Sequence, residues 1–295
     1  MKPAPFEYHR PRSVADAVAT LGDYPGTARV LAGGQSLVPM LNMRLWRPDA
    51  IVDINEIDEL DDIVADGDRV TIGSLVRYST VERSSLLARR LPLLPRIVRH
   101  IGDRQVRNRG TVGGALVHAD PTGELPLACL TLDAVVVAAG PEGVRRIPVD
   151  ELYEGSYATA VDPRELVVAV EFPPPAEAVA FRELCRKHND FAVVSVAAAG
   201  SRDDGGRWRD VRIALGGVAD TPVLATASAD RLEGTELRDA DVAAASDAAL
   251  EVADPPSDIR ASAEYRRHLL PVYVRRVLTE LRESHARQAW GEGTP

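Results

Sequence analysis

The chain has 295 residues, 45% of them hydrophobic, a formal net charge of −9 and a pI near 5.3. That length suits two or three domains of ordinary size. The acidic balance, with no Lys/Arg run interleaved with aromatics, argues against nucleic acid and anionic membrane surfaces as partners. No apolar stretch approaches the roughly 20 residues a membrane span needs, and MKPAPFEYHRP has no apolar segment of a secretory signal.

Phe6 to His9 reads as a short strand, and Ser13-Val14-Ala15-Asp16 as a helix-opening cap before the apolar stripe Val14, Ala17, Val18 and Leu21. Arg29-Val30-Leu31 then forms a strand that enters a small-residue turn, Ala32-Gly33-Gly34-Gln35-Ser36, followed by the apolar run Leu37 to Leu45. Paired glycines permit φ > 0 and close backbone approach. Successive exposed amides in such a turn make a concave anion site, although a lone Gly-Gly is also consistent with a plain tight turn. Ile51 to Ile54 is another strand, so residues 1–55 read as a small α/β unit. It is not the doubly wound dinucleotide fingerprint, because GxGxxG is absent.

Ile63-Val64-Ala65 and Val70 to Gly73 form a hairpin around Asp66-Gly67. Thr80 to Leu91 and Leu93 to Ile101 read as helices parted by Pro92. The polar, basic QVRNRG at Gln105 to Gly110 leads into a second small-residue stretch, Thr111-Val112-Gly113-Gly114, the same kind of anion-cradle candidate as the first. Asp120 and Glu124 follow. Beside a phosphate cradle their carboxylates suit ribose or ribityl hydroxyls; on their own they equally suit the N-terminus of the helix read over Leu125 to Leu132. His118 reads as a satisfied polar residue, since no second His lies nearby.

A hairpin over Ala134 to Pro148, a strand over Glu165 to Phe172 and the linker Pro173-Pro174-Pro175 close the middle region, residues 56–176. Strands over Phe181 to Cys185, Phe191 to Ala199 and Val211 to Leu215 precede helices carrying Val242, Ala245, Ala249 and Val252, then Leu270, Val274, Val277 and Leu281. Pro271 marks a helix start or kink. Strands followed by helices make residues 177–285 an α+β domain, with 286–295 a flexible tail. Cys129 and Cys185 lack any CxxC or His spacing, so they read as thiols of a reducing cytoplasm, with no metal site.

Three motifs in order, AGGQSL, RNRGTVGG followed by HADPTGELP, and RIALGGVADTP, together with the tail motif around Tyr265 to Leu269, carry a resemblance over nearly the whole chain. The chain resembles the FAD-binding medium subunit of molybdenum hydroxylases, the xanthine dehydrogenase, carbon monoxide dehydrogenase and nicotine dehydrogenase type. The resemblance implies an α+β fold. Two subdomains of the PCMH (vanillyl-alcohol-oxidase-like) kind clamp an extended FAD, and a C-terminal α+β domain of the CO dehydrogenase flavoprotein kind covers the isoalloxazine.

By match, Arg29, Val30, Leu31, Ala32, Gly33, Gly34, Gln35, Ser36 and Leu37 line the adenine–pyrophosphate path, with Gly33 to Ser36 on the phosphates. Thr111, Gly113, Gly114, Ala115 and Val117 form the second loop, and Asp120, Thr122 and Glu124 continue that wall. Leu166, Val167 and Arg182 approach from later strands, Arg182 standing where relatives frequently have Lys. Phe191 either shields the flavin or packs in the core. Gln35 stands where carbon monoxide-oxidising members resemble AGGHS, which weighs against that substrate.

The resemblance further implies no catalytic acid or base on this chain. A molybdopterin cofactor would sit on a large partner subunit and two [2Fe–2S] clusters on a small one. The expected assembly is a dimer of heterotrimers in the cytoplasm that delivers electrons to an external acceptor. A standalone FAD-dependent oxidoreductase and a flavin-less structural subunit are the alternatives.

Overall fold

The computed structural model describes residues 2–187 and 189–291, with the backbone alone for 285–291. Three larger sheets follow one another along the chain. The first contains β1 (Glu7–His9), β2 (Ala28–Leu31) and β3 (Ala50–Asp53), all parallel in the order β1-β3-β2. Parallel neighbours require crossovers, supplied by α1 (Val14–Asp23), whose start the Ser13 side chain caps, and by the short α2 (Leu37–Asn42). Every residue of the central strand β3 is buried, as a strand covered on both faces requires.

The second sheet begins with the hairpin β4 (Ile63–Asp66) and β5 (Arg69–Gly73). Six short helices intervene: α3 (Tyr78–Arg83), α4 (Ser85–Arg90), α5 (Leu93–Val98), α6 (Arg104–Arg109), α7 (Val112–His118) and α8 (Glu124–Thr131). The chain returns as β6 (Val135–Gly140) and β7 (Gly143–Pro148), makes a small ribbon of β8 (Tyr153–Gly155) and β9 (Ala158–Thr159), and ends in β10 (Leu166–Phe172). The order β4-β5-β10-β6-β7 places this last strand in the middle, antiparallel to both neighbours. Leu166 also joins the core of the first sheet with Leu75, so β10 ties the two units together.

One sequence reading changes here. Thr80 to Leu91 is not one helix, because Ser84 leaves the helical region (ψ 113°) and its hydroxyl accepts the Leu87 amide, capping α4 afresh. The stretch before Gly110 forms α6, whose start Asp103 caps through the Val106 amide.

The third sheet is antiparallel, β11 (Ala178–Cys185), β12 (Ala192–Arg202), β13 (Trp208–Gly216) and β14 (Val223–Leu224) in sequence order. It is covered on both faces. Phe181, Ala197 and Ala214 pack on the helices of the middle region. Val194, Val196, Ala198 and Leu215 pack on α9 (Thr226–Asp230), α10 (Asp239–Ala248) and the long α11 (Ala263–Gly291). Pro271 lies inside α11. That helix runs through His285 to Gly291, over the first residues read as a tail, since no glycine or proline interrupts it before Gly291; 292–295 lie outside the described residues. A fully buried Arg266 on α11 donates to the carbonyls of Val193 and Gly217 and pairs with Asp258 at 2.9 Å, pinning the helix across β12 and β13. Among the described residues no helix is long and apolar enough to cross a membrane.

Candidate functional site

A cleft of about 950 Å³ runs between the first and middle sheets and reaches the third at Asn189, Asp190 and Phe191. Its size is that of a small-molecule or cofactor site. The turn after β2 forms one wall. Gly34 has φ +73°, the left-handed region that suits glycine. Gly33 is there for a different reason: a Cβ would stand 2.2 Å from the Arg109 carbonyl oxygen. The close approach is therefore to another segment of the chain, the one leading into the second glycine pair.

Side chains fix this approach. Arg77 donates to that same Arg109 carbonyl at 2.6 Å and to Asn55 Oδ1 at 2.5 Å. Asn55 in turn donates to the Leu31 and Ala32 carbonyls at 3.3 and 2.9 Å, and Gln35 Nε2 braces the Gly33 carbonyl at 3.2 Å. Carbonyls of the turn are thus occupied, whereas the amides of Gly33, Gly34, Gln35, Ser36 and Leu37 donate to no acceptor among the described residues. A run of unpaired amides lining a cleft is a cradle for an anion. Below it, the Arg29 guanidinium lies 3.8 Å from the centre of the Trp46 ring, and burial lowers its pKa.

The second glycine pair is built differently. Thr111 to Gly114 is the first turn of α7, with Thr111 Oγ1 accepting the Gly114 amide at 3.2 Å. The Gly113 amide goes to the Ser74 carbonyl at 2.9 Å and Val112 to Val76 at 3.0 Å. A Cβ on Gly113 would sit 2.5 Å from Ser74 Cβ, and one on Gly114 2.7 Å from Thr111 Oγ1. These glycines let α7 lie against β5 and its following turn. The sequence reading of two equivalent cradles is corrected: the amides here already have partners, and the segment contributes wall.

Beyond α7 the carboxyls gather. Asp120 Oδ1 accepts the Thr122 amide at 2.8 Å and its hydroxyl at 2.7 Å, while Tyr157 directs its hydroxyl to Asp120 Oδ2 at 3.4 Å. Tyr157 has φ +60°, uncommon for a bulky residue, and its amide is held by the Ala119 carbonyl. Its ring packs on His118, whose pKa burial lowers, so that imidazole is neutral at pH 7. Glu124, the first residue of α8, is almost wholly buried; burial foremost, then the charge of Glu183, pushes its pKa up to about 8. It carries a proton at neutral pH and can both donate and accept a hydrogen bond.

The cleft wall includes all the sequence-derived residues except Leu31, Thr122 and Arg182. Leu31 packs beneath Gly34. The Thr122 hydroxyl is taken by Asp120. Arg182 is correctly placed on a later strand, but its guanidinium pairs with Glu280 of α11 at 2.6 Å, and Glu280 also holds Arg96. Phe191 precedes β12 and is 52% exposed under the Arg260 guanidinium, so it is not core. Wall residues the sequence did not signal include Met40, Trp46, Tyr78, Ile101, Tyr157 and Asn189. They are scattered along the chain from position 40 to position 189, and no spacing links them. Among the described residues no His, Cys, Asp and Glu cluster is arranged to hold a metal.

The residues present fit a dinucleotide such as FAD: amides unpartnered among the described residues, which suit phosphates, carboxyls further along, which suit hydroxyls, and an exposed aromatic at the far end. Comparison with known proteins agrees. Residues 4–175 match the family model described as the FAD binding domain in molybdopterin dehydrogenase, and residues 179–281 match the CO dehydrogenase flavoprotein C-terminal domain. The chain is 37% identical to the 6-hydroxypseudooxynicotine dehydrogenase complex subunit alpha of Paenarthrobacter nicotinovorans, covering 95% of each chain. It is 37% identical to the carbon monoxide dehydrogenase medium chain of Hydrogenophaga pseudoflava, over 94% of this chain and 97% of that one. The solved structure of reconstituted CO dehydrogenase from Oligotropha carboxidovorans superposes with a TM-score of 0.93 at 36% identity, over 96% of this chain and 100% of the other.

Proposed function

The chain belongs to the FAD-binding medium-subunit family of the molybdenum hydroxylases, and on that premise we propose that it is the electron-relay subunit of a three-component hydroxylase. A large partner subunit carrying a molybdopterin cofactor oxidises the substrate. A small partner with two [2Fe–2S] clusters conducts electrons one at a time to this chain, which passes them to an external acceptor. The assembly is a dimer of such heterotrimers and works in the cytoplasm. FAD, when bound, supplies the ability to take one or two electrons and release them.

The observation that carries this reading is the row of five amides from Gly33 to Leu37, unpartnered among the described residues, in a cleft of dinucleotide size. Those amides hold the pyrophosphate, and Arg77 and Asn55 keep the turn in shape by occupying its carbonyls and that of Arg109. Asp120 and Glu124 bind the hydroxyls of the ribose and ribityl portions. Phe191 and Tyr157 cover the ring end and limit water there.

Purification of the tagged chain from its native host tests the proposal. Copurification of one larger and one smaller chain, with about one FAD released per copy of this chain, is the expected result. Release of FMN, or iron held by the isolated chain, would overturn the assignment of the cleft. FAD bound with catalytic turnover by the chain alone would make it a standalone flavoenzyme. No flavin even with partners present would make it a structural subunit.

A further inference from the structure

A trans peptide directs its carbonyl and its N–H to opposite sides, so whatever grips a carbonyl in the turn after β2 also aims the next residue's amide. The Gly34 carbonyl accepts from the Val38 amide at 3.1 Å, and the Ser36 carbonyl from the Met40 amide at 3.2 Å. These bonds set the Gln35 and Leu37 amides from within the turn and α2. The Gly33 carbonyl accepts from Gln35 Nε2, which sets the Gly34 amide. The Gly33 amide depends on a residue outside the turn. It shares a peptide with the Ala32 carbonyl, which accepts from Asn55 Nδ2 at 2.9 Å. Asn55 does not line the cleft, so it grips that peptide from behind.

A side-chain amide can be turned either way, and Asn55 would hold nothing if its oxygen faced the turn. Asp53 decides the matter. It ends β3 and is 7% exposed. Its Oδ1 accepts from Asn55 Nδ2 at 2.6 Å and from the Asn55 backbone amide at 3.0 Å. An ionised carboxylate only accepts, so the Asn55 NH2 must face it, which leaves Asn55 Oδ1 for Arg77. Asp53 Oδ2 accepts from the Tyr8 hydroxyl on β1, and Arg10 stands 3.9 Å away. Burial opposes the charge. The bonds from Tyr8 and Asn55, with the Arg10 charge, outweigh it and hold the carboxyl below its ordinary pKa, ionised at neutral pH.

We infer that Asp53 is a positioning residue for the cofactor: through Asn55 and the Ala32 carbonyl it aims the Gly33 amide at a phosphate of the bound dinucleotide. The inference rests on the reading of the cleft as an FAD site. Tyr8 occupies the second carboxylate oxygen and so keeps the first turned to Asn55. Printed bond by bond, the line runs from β1 through Asp53 and Asn55 to the back of the turn.

NMR of the isotopically labelled full-length chain tests the line in two steps. Without FAD, hydrogen exchange of the wild-type Asn55 side-chain amide is expected to be at least roughly tenfold slower than that of a free asparagine, and to approach the free rate in Asp53→Ala. With FAD, Asp53→Ala is expected to bind roughly tenfold more weakly, as the loss of one hydrogen bond to a ligand phosphate would give. In that variant the Gly33 amide loses its FAD-dependent shift, while Gln35 and Leu37 keep theirs. Asp53→Asn retains an acceptor oxygen for Asn55 and is expected to rescue the Gly33 shift. A merely structural role would lower the unfolding midpoint without singling out Gly33. Fast exchange of the wild-type Asn55 amide, a result that needs no variant to fold, would overturn the inference. An Asp53→Ala chain that keeps the Gly33 shift would do the same. A wild-type chain that binds no flavin would instead defeat the reading of the cleft, and the exchange data would still decide the link from Asp53 to Asn55.

Discussion

The two glycine pairs of this chain look alike in sequence and do different work. At Gly33-Gly34 the backbone turns through φ +73° and leaves five successive amides without partners among the described residues. At Gly113-Gly114 the backbone is the capped first turn of a helix, and its amides go to Ser74 and Thr111. The difference teaches that a small-residue pair has two physical uses, freeing donors for a ligand and letting two chain segments touch. Gly33 combines both, since its missing Cβ makes room for the Arg109 carbonyl that precedes the second pair. Arg77 grips that carbonyl and reaches the first turn through Asn55, so the two walls of the cleft are one mechanical unit.

Gly33→Ala should break this arrangement most completely. A methyl group 2.2 Å from a backbone oxygen forces the two walls apart. Overpacking of this kind costs roughly 1–3 kcal/mol of stability, and FAD content of the purified chain should fall to background. In Gly34→Ala the Cβ would stand 3.2 Å from Leu31 Cδ1 and Val38 Cγ2, which must yield a little, and φ is strained. A left-handed non-glycine costs roughly 1–2 kcal/mol, so titration by flavin fluorescence should show FAD binding weakened by about tenfold.

Thr111→Ala sharpens the contrast from the other side. It removes the α7 cap, worth about 1 kcal/mol, and should lower the midpoint of thermal unfolding while FAD affinity changes less than about twofold. If the second pair were itself the anion cradle, this variant would lose FAD as Gly34→Ala does.

Glu124→Gln should change FAD occupancy least, and its signature lies in pH. The folded pKa of about 8 is raised above the ordinary 4.5 by burial first and the Glu183 charge second. Between those values the unfolded chain releases the proton and the folded chain keeps it. This group's contribution therefore makes stability fall as pH rises from about 4.5 to about 8, with no further change above. Chemical denaturation at several pH values should show that decline in the wild type and a flatter profile in Glu124→Gln.

Much of this was legible in the sequence wherever the signal was local. The β2 strand and its AGGQS turn, the DG hairpin at Asp66-Gly67 and the long apolar stripe of α11 all stand where their residues point. The carboxyls at Asp120 and Glu124 do line the cleft. What sequence could not tell was partnership. Thr111 reads equally as a ligand hydroxyl or a helix cap, and only the position of the Gly114 amide decides it. Arg182 reads as a cofactor cation until Glu280, 98 residues away, claims it. Tyr157 and Trp46 enter the wall through tertiary folding of remote segments and carry no motif.

The central claim is that the amides of Gly33 to Leu37 hold the phosphates of FAD. Amide NMR of the isotopically labelled chain, titrated with FAD, tests it most directly, since a hydrogen bond to phosphate shifts the donor amide. The account predicts downfield movement of these five amides in step with saturation of the flavin signal. Saturable FAD binding that leaves all five unmoved would contradict it.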